Sequence, residues 1–282
     1  MATILDTLKK GTEYLQKYHV EEARLSMEHL IAHVLKMDRM QLYLDFDRPL
    51  TEEQLDSLRE LTKRRSRGEP LQHLLGTVEF HDLEFKTDAR ALIPRPETEE
   101  LVDLILKRDG PSPVSMLDLG CGSGVIGATL FQKFDPKPQV TVFADVSREA
   151  LDLARENCTS LGMDNAVELI ESNLFASIPG SFDLIAANLP YIPSAEATEL
   201  SREVQQDPEL ALYGGAKGTE VVERALEGAI PQLNPGGLLA LEIGIDQAEG
   251  LKIFAEDLGY YPVEILKDLS GIDRFIFATK PA

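Results

Sequence analysis

The chain contains no tryptophan and only two cysteines, Cys121 and Cys158, among its 282 residues. The cysteines do not stand at metal-ligand spacing, and so small a number is typical of a reducing compartment. The sequence therefore argues against a zinc site or a disulfide framework. Both thiols are interpreted as small core residues rather than nucleophiles.

Basic residues are scarce relative to acidic ones, with 28 Lys and Arg against 48 Asp and Glu, which leaves a net charge of −20. An acidic surface repels phosphate backbones, so the composition argues against a large nucleic-acid footprint. The one dense basic cluster, residues 63–67, is interpreted as the solvated end of a helix. We therefore expect no direct nucleic-acid partner.

Long apolar runs are also missing. No run reaches the roughly 20 residues that a bilayer-crossing helix needs. Asp6, Lys9 and Lys10 interrupt the apolar core that a signal peptide would require. The sequence thus predicts a cytoplasmic protein without a membrane segment.

Residues 1 to about 75 carry apolar side chains at helical spacing and predict a small helical bundle. A short helix is expected within residues 38–46. Thr51 and Gln54 form a capping box, which predicts that a further helix begins at residue 52. This bundle carries no catalytic constellation.

Residues 76–95 are interpreted as a hairpin linker between the two domains, and the hairpin itself is expected over residues 71–85. Its two strands, 77–80 and 83–86, flank His81 and Asp82. A helix is then expected to begin at Pro96 or Thr98, where acidic residues suit its positive end. The prolines and arginine of this stretch allow two interpretations, a rigid connector or a clamp near a ligand.

From residue 114 apolar strands alternate with helices, which predicts an α/β fold with a mostly parallel sheet and helices on both faces. The predicted strands are residues 114–119, 140–144, 167–170, 182–187 and 238–243, with a final antiparallel pair at 263–267 and 275–278. A helix over residues 219–233 is expected to end at the Asn-Pro-Gly-Gly turn.

A glycine-rich turn follows the first of these strands. Residues 122–127 fit the dinucleotide fingerprint, so a nicotinamide enzyme is one interpretation. With Asp118 before the glycines, residues 118–124 also resemble the first motif of S-adenosylmethionine-dependent methyltransferases, where glycines let the backbone pass close to the cofactor. Asp145 ends the next strand, where its carboxylate can accept from ribose hydroxyls. The pattern predicts a nucleoside cofactor.

The strand over residues 182–187 leads into Asn188, Leu189, Pro190 and Tyr191. Ligands of open α/β sheets bind at the carboxyl ends of strands. The Asn188 side-chain oxygen and the Leu189 carbonyl are two acceptors, and Tyr191 offers a wall, which together suit a planar NH2 group. The alternative is a strand-to-loop turn stiffened by proline.

With these motifs, the chain resembles the HemK/PrmC family, the glutamine methyltransferases of peptide-chain release factors. The stretches that carry the resemblance are residues 68–76, 92–99, 118–124, 188–191, 209–215, 241–244 and 268–274. They are spread over nearly the whole chain, and residues 95–99 and 268–274 are the most family-specific.

The resemblance implies a Rossmann-like class I methyltransferase sheet, residues 96–282, with a small all-helical N-terminal domain that recognises the partner. It implies methyl transfer from S-adenosyl-L-methionine to the glutamine of a Gly-Gly-Gln tripeptide in release factors. The implied catalytic residues are Asn188, Leu189, Pro190 and Tyr191. The implied cofactor-binding residues are Gly120, Cys121, Gly122, Ser123, Gly124, Asp145, Asn173, Leu174 and Asn188.

The chain departs from the family pattern inside this predicted site. Leu189 replaces the first proline of Asn-Pro-Pro-Tyr, and Asn173-Leu174 replaces Asp-Trp in the loop that contacts adenine. Asn-Leu-Pro-Tyr also occurs in ribosomal-RNA adenine dimethyltransferases, so an adenine exocyclic-amine methyltransferase acting on RNA or DNA stays open. A non-enzymatic S-adenosylmethionine-binding protein is the other alternative, if either leucine spoils the site.

Overall fold

The computed structural model describes residues 2–198 and 200–282, which form two compact units. The first unit comprises the chain up to residue 77 together with residues 201–206, and the second comprises residues 78–200 and 207–282. Met1 and Glu199 fall inside the predicted domain ranges but lie outside the described residues.

The first unit is helical, as expected for this region. Its helices are α1 (Ile4–Lys17), α2 (Ala23–Leu35), α3 (Arg39–Leu42), α4 (Glu52–Ser66) and α5 (Leu71–Leu75). The Thr51–Gln54 capping box at the start of α4 is confirmed. An ion pair of 2.6 Å between Arg65 and Glu203 joins residues 201–206 to this unit. No helix in the described part of the chain is long and apolar enough to cross a membrane.

Helix α5 corrects the prediction that the hairpin segment begins at Leu71. Pro70 precedes the helix with extended backbone, and Gly76 ends it at a φ of 77°. Proline before a helix and glycine after it are strong boundary signals, so these five residues form a helical turn. The predicted hairpin strands themselves are confirmed as β1 (Thr77–Phe80) and β2 (Leu83–Lys86).

The second unit contains the predicted alternation of strands and helices. In chain order its elements are α6 (Pro96–Leu106), β3 (Ser115–Leu119), α7 (Val125–Lys133), β4 (Val140–Asp145), α8 (Arg148–Ser160), β5 (Glu168–Glu171), β6 (Phe182–Asn188), β7 (Ile192–Pro193), α9 (Glu209–Leu212), β8 (Tyr213–Gly215), α10 (Glu220–Gln232), β9 (Leu233–Glu242), α11 (Ala248–Asp257), β10 (Val263–Lys267) and β11 (Asp273–Thr279). Strand β9 starts earlier than expected. Residues 234–237, which were predicted as a turn, belong to the strand, and its pairing with β6 is irregular opposite residues 182–184.

The central sheet of the described chain has the strand order β10-β11-β9-β6-β3-β4-β5. Strand β11 runs antiparallel to both of its neighbours, while β9, β6, β3, β4 and β5 are parallel. The predicted α/β fold is thereby confirmed. Strands β4 and β5 lie on one side of β3, whereas β6 and all later strands of this sheet lie on the other side. The carboxyl ends of β3 and β6 therefore meet at a topological switch point, where such sheets bind ligands.

Alternate residues of the central strands pack against helices on opposite faces. Met116 and Leu184 pack with the layer of α6, α7 and α8, whereas Leu117 and Ile185 pack with that of α10 and α11. Full burial of such a side chain stabilises the fold by about 1.5–3 kcal/mol. The two apolar layers therefore hold the strand ends, and the loops that follow them, in fixed positions.

Candidate functional site

A cavity of about 650 Å³ lies at the carboxyl edge of the sheet. Most of the predicted site residues line it: Gly120, Cys121, Gly122, Ser123, Asp145, Asn173, Leu174, Asn188, Leu189 and Pro190. Among the described residues, Gly124 and Tyr191 are the predicted site residues that do not line it. The fold thus brings together loops that follow four different strands.

The glycine loop wraps over the end of β4. The N–H groups of Gly120 and Cys121 both donate to the Ala144 carbonyl, at 2.7 and 2.9 Å. Gly120 and Gly122 have φ values of 68° and 54°, which favour glycine. A Cβ on Gly120 would also lie 2.8 Å from Cδ2 of Leu189. A side chain here would both strain the turn and collide with the wall opposite.

Gly124 serves the helix rather than the cavity. It is the N-cap of α7 with a φ of 82°. A Cβ there would lie 3.3 Å from the Phe143 ring and from the Ala154 side chain. The residue therefore lets the start of α7 pack closely against the sheet.

Asp145 supports the glycine loop and also presents its carboxylate to the cavity. Oδ2 accepts from the Gly122 N–H and Oδ1 from the Ser147 N–H, both at 2.8 Å. Burial raises the pKa of Asp145, although these N–H donors oppose the shift. Each oxygen keeps a second lone pair, so the carboxylate can still accept hydroxyl groups from the cavity side.

Asp118 lies beneath the glycine loop with an exposure of 1%. Oδ2 accepts from the Gly127 N–H at 2.8 Å, while Oδ1 has no hydrogen-bond partner among the described residues. Burial raises the pKa of Asp118 to about 7. Asp118 thus supports the loop from beneath, whereas the glycine turn and Asp145 line the cavity and fit a nucleoside cofactor such as S-adenosylmethionine.

The loop after β5 holds Asn173 and Leu174, the second of the two departures from the family pattern. Ser172 donates its hydroxyl to the Leu174 carbonyl at 2.7 Å, and Leu174 has a φ of 50°. The Asn173 side-chain oxygen accepts from Arg224 at 3.0 Å. Arg224 also lines the cavity. Sequence reasoning missed it because it lies on α10, far along the chain from this loop.

Asn188 ends β6 and is held by a chain of hydrogen bonds. Its Nδ2 donates to Thr98 Oγ1 at 3.0 Å, and Thr98 donates to Glu242 Oε2 at 2.7 Å. Glu242 Oε1 accepts from the Tyr191 hydroxyl at 3.1 Å. Burial raises the pKa of Glu242, opposed by the Thr98 and Tyr191 hydrogen bonds. Asn188 is thus anchored through its NH2 group.

Tyr191 is directed at Glu242 rather than into the cavity. Burial, reinforced by the Glu242 carboxylate, raises the pKa of its hydroxyl. Its carbonyl accepts from Gln247, whose side-chain oxygen in turn accepts from the Gly244 N–H, both at 2.9 Å. Leu189 and Pro190, not the tyrosine ring, supply the cavity wall beside Asn188.

Thr98 and Glu242 were not assigned roles from the sequence. Both lie in stretches that carry the family resemblance, residues 92–99 and 241–244. That signal marked the stretches without showing what the side chains contact. The residues that Thr98 and Glu242 contact are distant from them in the sequence.

The stretch before α6 forms part of the cavity wall, through Ala89 to Leu92, Pro94 and Arg95. Arg95 pairs with the buried Asp207 at 2.6 Å, and the Ile93 N–H donates to the same carboxylate at 3.2 Å. The stretch is thus held in place at the edge of the cavity, and its role as a lid or clamp stays a prediction.

Comparison with known proteins relates this architecture to one family. Residues 6–76 match the PrmC N-terminal domain, and residues 98–210 match the methyltransferase small domain. The release factor glutamine methyltransferase of Rhodopirellula baltica is 38% identical, covering 99% of this chain and 96% of its own. The protein of the same name from Geobacter sulfurreducens is 40% identical, covering 97% and 95%.

The fold has counterparts among solved structures. A methyltransferase from Pyrococcus furiosus superposes with a TM-score of 0.54 at 23% identity, covering 72% of this chain and 91% of that one. This likeness supports the class I methyltransferase fold expected from the resemblance. The full-length relatives show that the chain belongs to the release factor glutamine methyltransferase family.

Proposed function

We propose that this protein transfers a methyl group from S-adenosyl-L-methionine to the side-chain amide nitrogen of the glutamine in the Gly-Gly-Gln motif of peptide-chain release factors, in the cytoplasm. The observation that carries the proposal is that Asn188 lines the same cavity as Gly122 and Asp145. That cavity combines groups suited to a nucleoside cofactor with an amide oxygen suited to a substrate NH2 group. Relatives named for this activity match nearly the whole chain.

The cofactor is assigned to the glycine-loop side of the cavity. Residues 120–123 would hold its amino-acid part, Asp145 would accept hydrogen bonds from its ribose hydroxyls, and Asn173 and Leu174 would contact its adenine. S-adenosylmethionine, when bound, supplies a methyl group activated by a positively charged sulfur.

The substrate amide is assigned to Asn188 and Leu189. An amide nitrogen is a poor nucleophile because its lone pair is delocalised into the carbonyl. The Asn188 side-chain oxygen and the Leu189 carbonyl accept its two N–H bonds and so orient it. Positioning of this kind contributes on the order of 7–11 kcal/mol at best. The nitrogen becomes acidic as it gains the methyl group, so water suffices to take the released proton.

The helical first unit is assigned to recognition of the release factor. We infer that the chain consists of a partner-recognising bundle (residues 1–75), a hairpin linker (76–95) and a methyltransferase domain (96–282). Remote contacts of this kind position a substrate loop without taking part in chemistry.

The test is incubation of the purified protein with labelled S-adenosylmethionine and a purified release factor, followed by mass spectrometry. We expect one added methyl group on the glutamine of the Gly-Gly-Gln motif. A release factor with that glutamine replaced by alanine is the control and should stay unlabelled. Label found on the adenines of added RNA, with none on the release factor, would contradict the proposal and favour an adenine-amine methyltransferase.

A further inference from the structure

We propose that Thr98 and Glu242 are positioning residues that determine which end of the Asn188 amide faces the substrate. The inference rests on the proposed function and deepens it. An asparagine amide carries an acceptor at one end and donors at the other, and only the acceptor can bind a substrate N–H. The site therefore needs a means of choosing between two orientations of similar shape.

The direction of the hydrogen bonds supplies that choice. Glu242 accepts the hydroxyl protons of both Thr98 and Tyr191, one on each carboxylate oxygen. Thr98 has a single O–H, which it gives to Glu242. Towards Asn188 its oxygen can then only accept, and it receives Nδ2–H at 3.0 Å. The amide oxygen of Asn188 is left for the cavity.

The reversed amide would be mismatched at both ends. Its oxygen would face the Thr98 oxygen, whose proton is already committed, and its NH2 group would face the NH2 group of the substrate. Thr98 is 3% exposed and Glu242 1%, so water cannot replace the missing partners. Buried polar groups without partners are strongly disfavoured, which selects the orientation found in the structure.

The fold fixes the members of this chain of bonds independently of the substrate. Asn188 and Glu242 are register partners at the ends of the parallel strands β6 and β9. Thr98 lies in the first turn of α6, which begins at Pro96. Glu242 does not need to contact the substrate amide, because its influence on the substrate is transmitted through the orientation of Asn188.

The first experiment compares Thr98→Val with Thr98→Ser. Valine keeps the size but removes the hydroxyl, whereas serine keeps the hydroxyl. We expect the valine variant to lose about 10- to 100-fold in single-turnover methyl transfer to a release factor, as when outer hydrogen-bond partners that orient metal ligands are removed. Cofactor affinity measured by calorimetry should stay near native, and the serine variant should keep most of the rate. A fully active valine variant, or a serine variant no better than valine, would overturn the inference.

A second experiment tests orientation itself. A carboxylate presents an acceptor at either end, so in the Asn188→Asp background no group has to choose the orientation. Thr98→Val should therefore lower the rate much less in that background than in the native one. An equal loss in both backgrounds would indicate a general structural role for Thr98 and overturn the inference. If the Asn188→Asp background proves inactive, the valine–serine comparison decides alone.

Thr141→Val provides a matched control. Thr141 is a buried threonine of β4 whose hydroxyl has no hydrogen-bond partner among the described residues. Its replacement should leave the rate unchanged. Native protein that binds the cofactor but does not methylate the release factor would contradict the proposed function and this inference together. Loss or retention of activity in the Thr98 variants alone bears on the inference only.

Discussion

Asn188 is the residue on which the proposed chemistry depends most directly. Asn188→Ala removes one of the two acceptors assigned to the substrate N–H bonds. We expect the methyl-transfer rate to fall by about 10²–10³, comparable to the loss of one preorganised hydrogen-bonding group. The rate should be measured under single-turnover conditions. Cofactor affinity should change much less, and near-native turnover would remove Asn188 from the proposed mechanism.

Asp118 should make the stability of the protein depend on pH. Its pKa is raised by burial from 3.8 to about 7 in the folded state. Between about pH 4 and pH 7 the folded protein therefore retains a proton that the unfolded chain has released, so its contribution to stability falls as the pH rises. Each pKa unit corresponds to about 1.4 kcal/mol.

Urea unfolding of the native protein and of Asp118→Asn across this pH range measures the effect. Asparagine can still accept from the Gly127 N–H but does not titrate. The free energy of unfolding of the native protein, minus that of the variant, should decrease from pH 4 to pH 7. A constant difference would show that Asp118 titrates alike in the folded and unfolded states.

At the scale of elements, the contact of α7 with the sheet depends on Gly127. A Cβ there would lie 2.2 Å from the Phe143 ring and 2.8 Å from Asp118 Cβ. Alanine favours a helix interior by about 1 kcal/mol over glycine. Overpacking a closed core costs about 1–3 kcal/mol, and Phe143 is fully buried. We expect Gly127→Ala to destabilise the protein in urea unfolding.

Gly250 in α11 is the matched control, since nothing lies within 4 Å of the position of an added Cβ. Gly250→Ala should stabilise the protein by up to about 1 kcal/mol through helix propensity alone. If both substitutions stabilised it to the same extent, the close approach of α7 to β4 would not be a determinant of stability.

At the scale of the whole molecule, the helical unit is expected to serve docking. A chain that begins at residue 76 lacks this unit, although residues 201–206, which belong to the same unit, remain. It should still bind S-adenosylmethionine, measured by calorimetry. Methylation of an intact release factor should fall by roughly 10-fold or more, because remote contacts no longer position the substrate loop.

A short peptide containing Gly-Gly-Gln provides the control for this truncation. It cannot use remote contacts, so the full-length and truncated proteins should methylate it at similar rates. Full activity of the truncated protein on an intact release factor would assign the helical unit another role.

The sequence by itself determined most of the elements and the contiguous motifs. The capping box at Thr51, the glycine turn before α7 and the acidic residue ending β4 depend on neighbours within a few residues, and local backbone preferences encode them directly. The same is true of the apolar alternation that predicted the sheet. Asn188 could be singled out because its chemistry and its place at a strand end are both visible in one short stretch.

Only the tertiary structure decided how these side chains are used. Thr98 and Glu242 are 144 residues apart in the chain yet share a hydrogen bond. Tyr191, expected to form a wall for the substrate, instead binds Glu242, and the Leu189 side chain fills the space beside Gly120. The direction of a side chain depends on partners that strands β6 and β9 bring together. A linear pattern can show that Asn188 carries an amide, but only packing of the sheet against α6 determines that its NH2 group donates to Thr98.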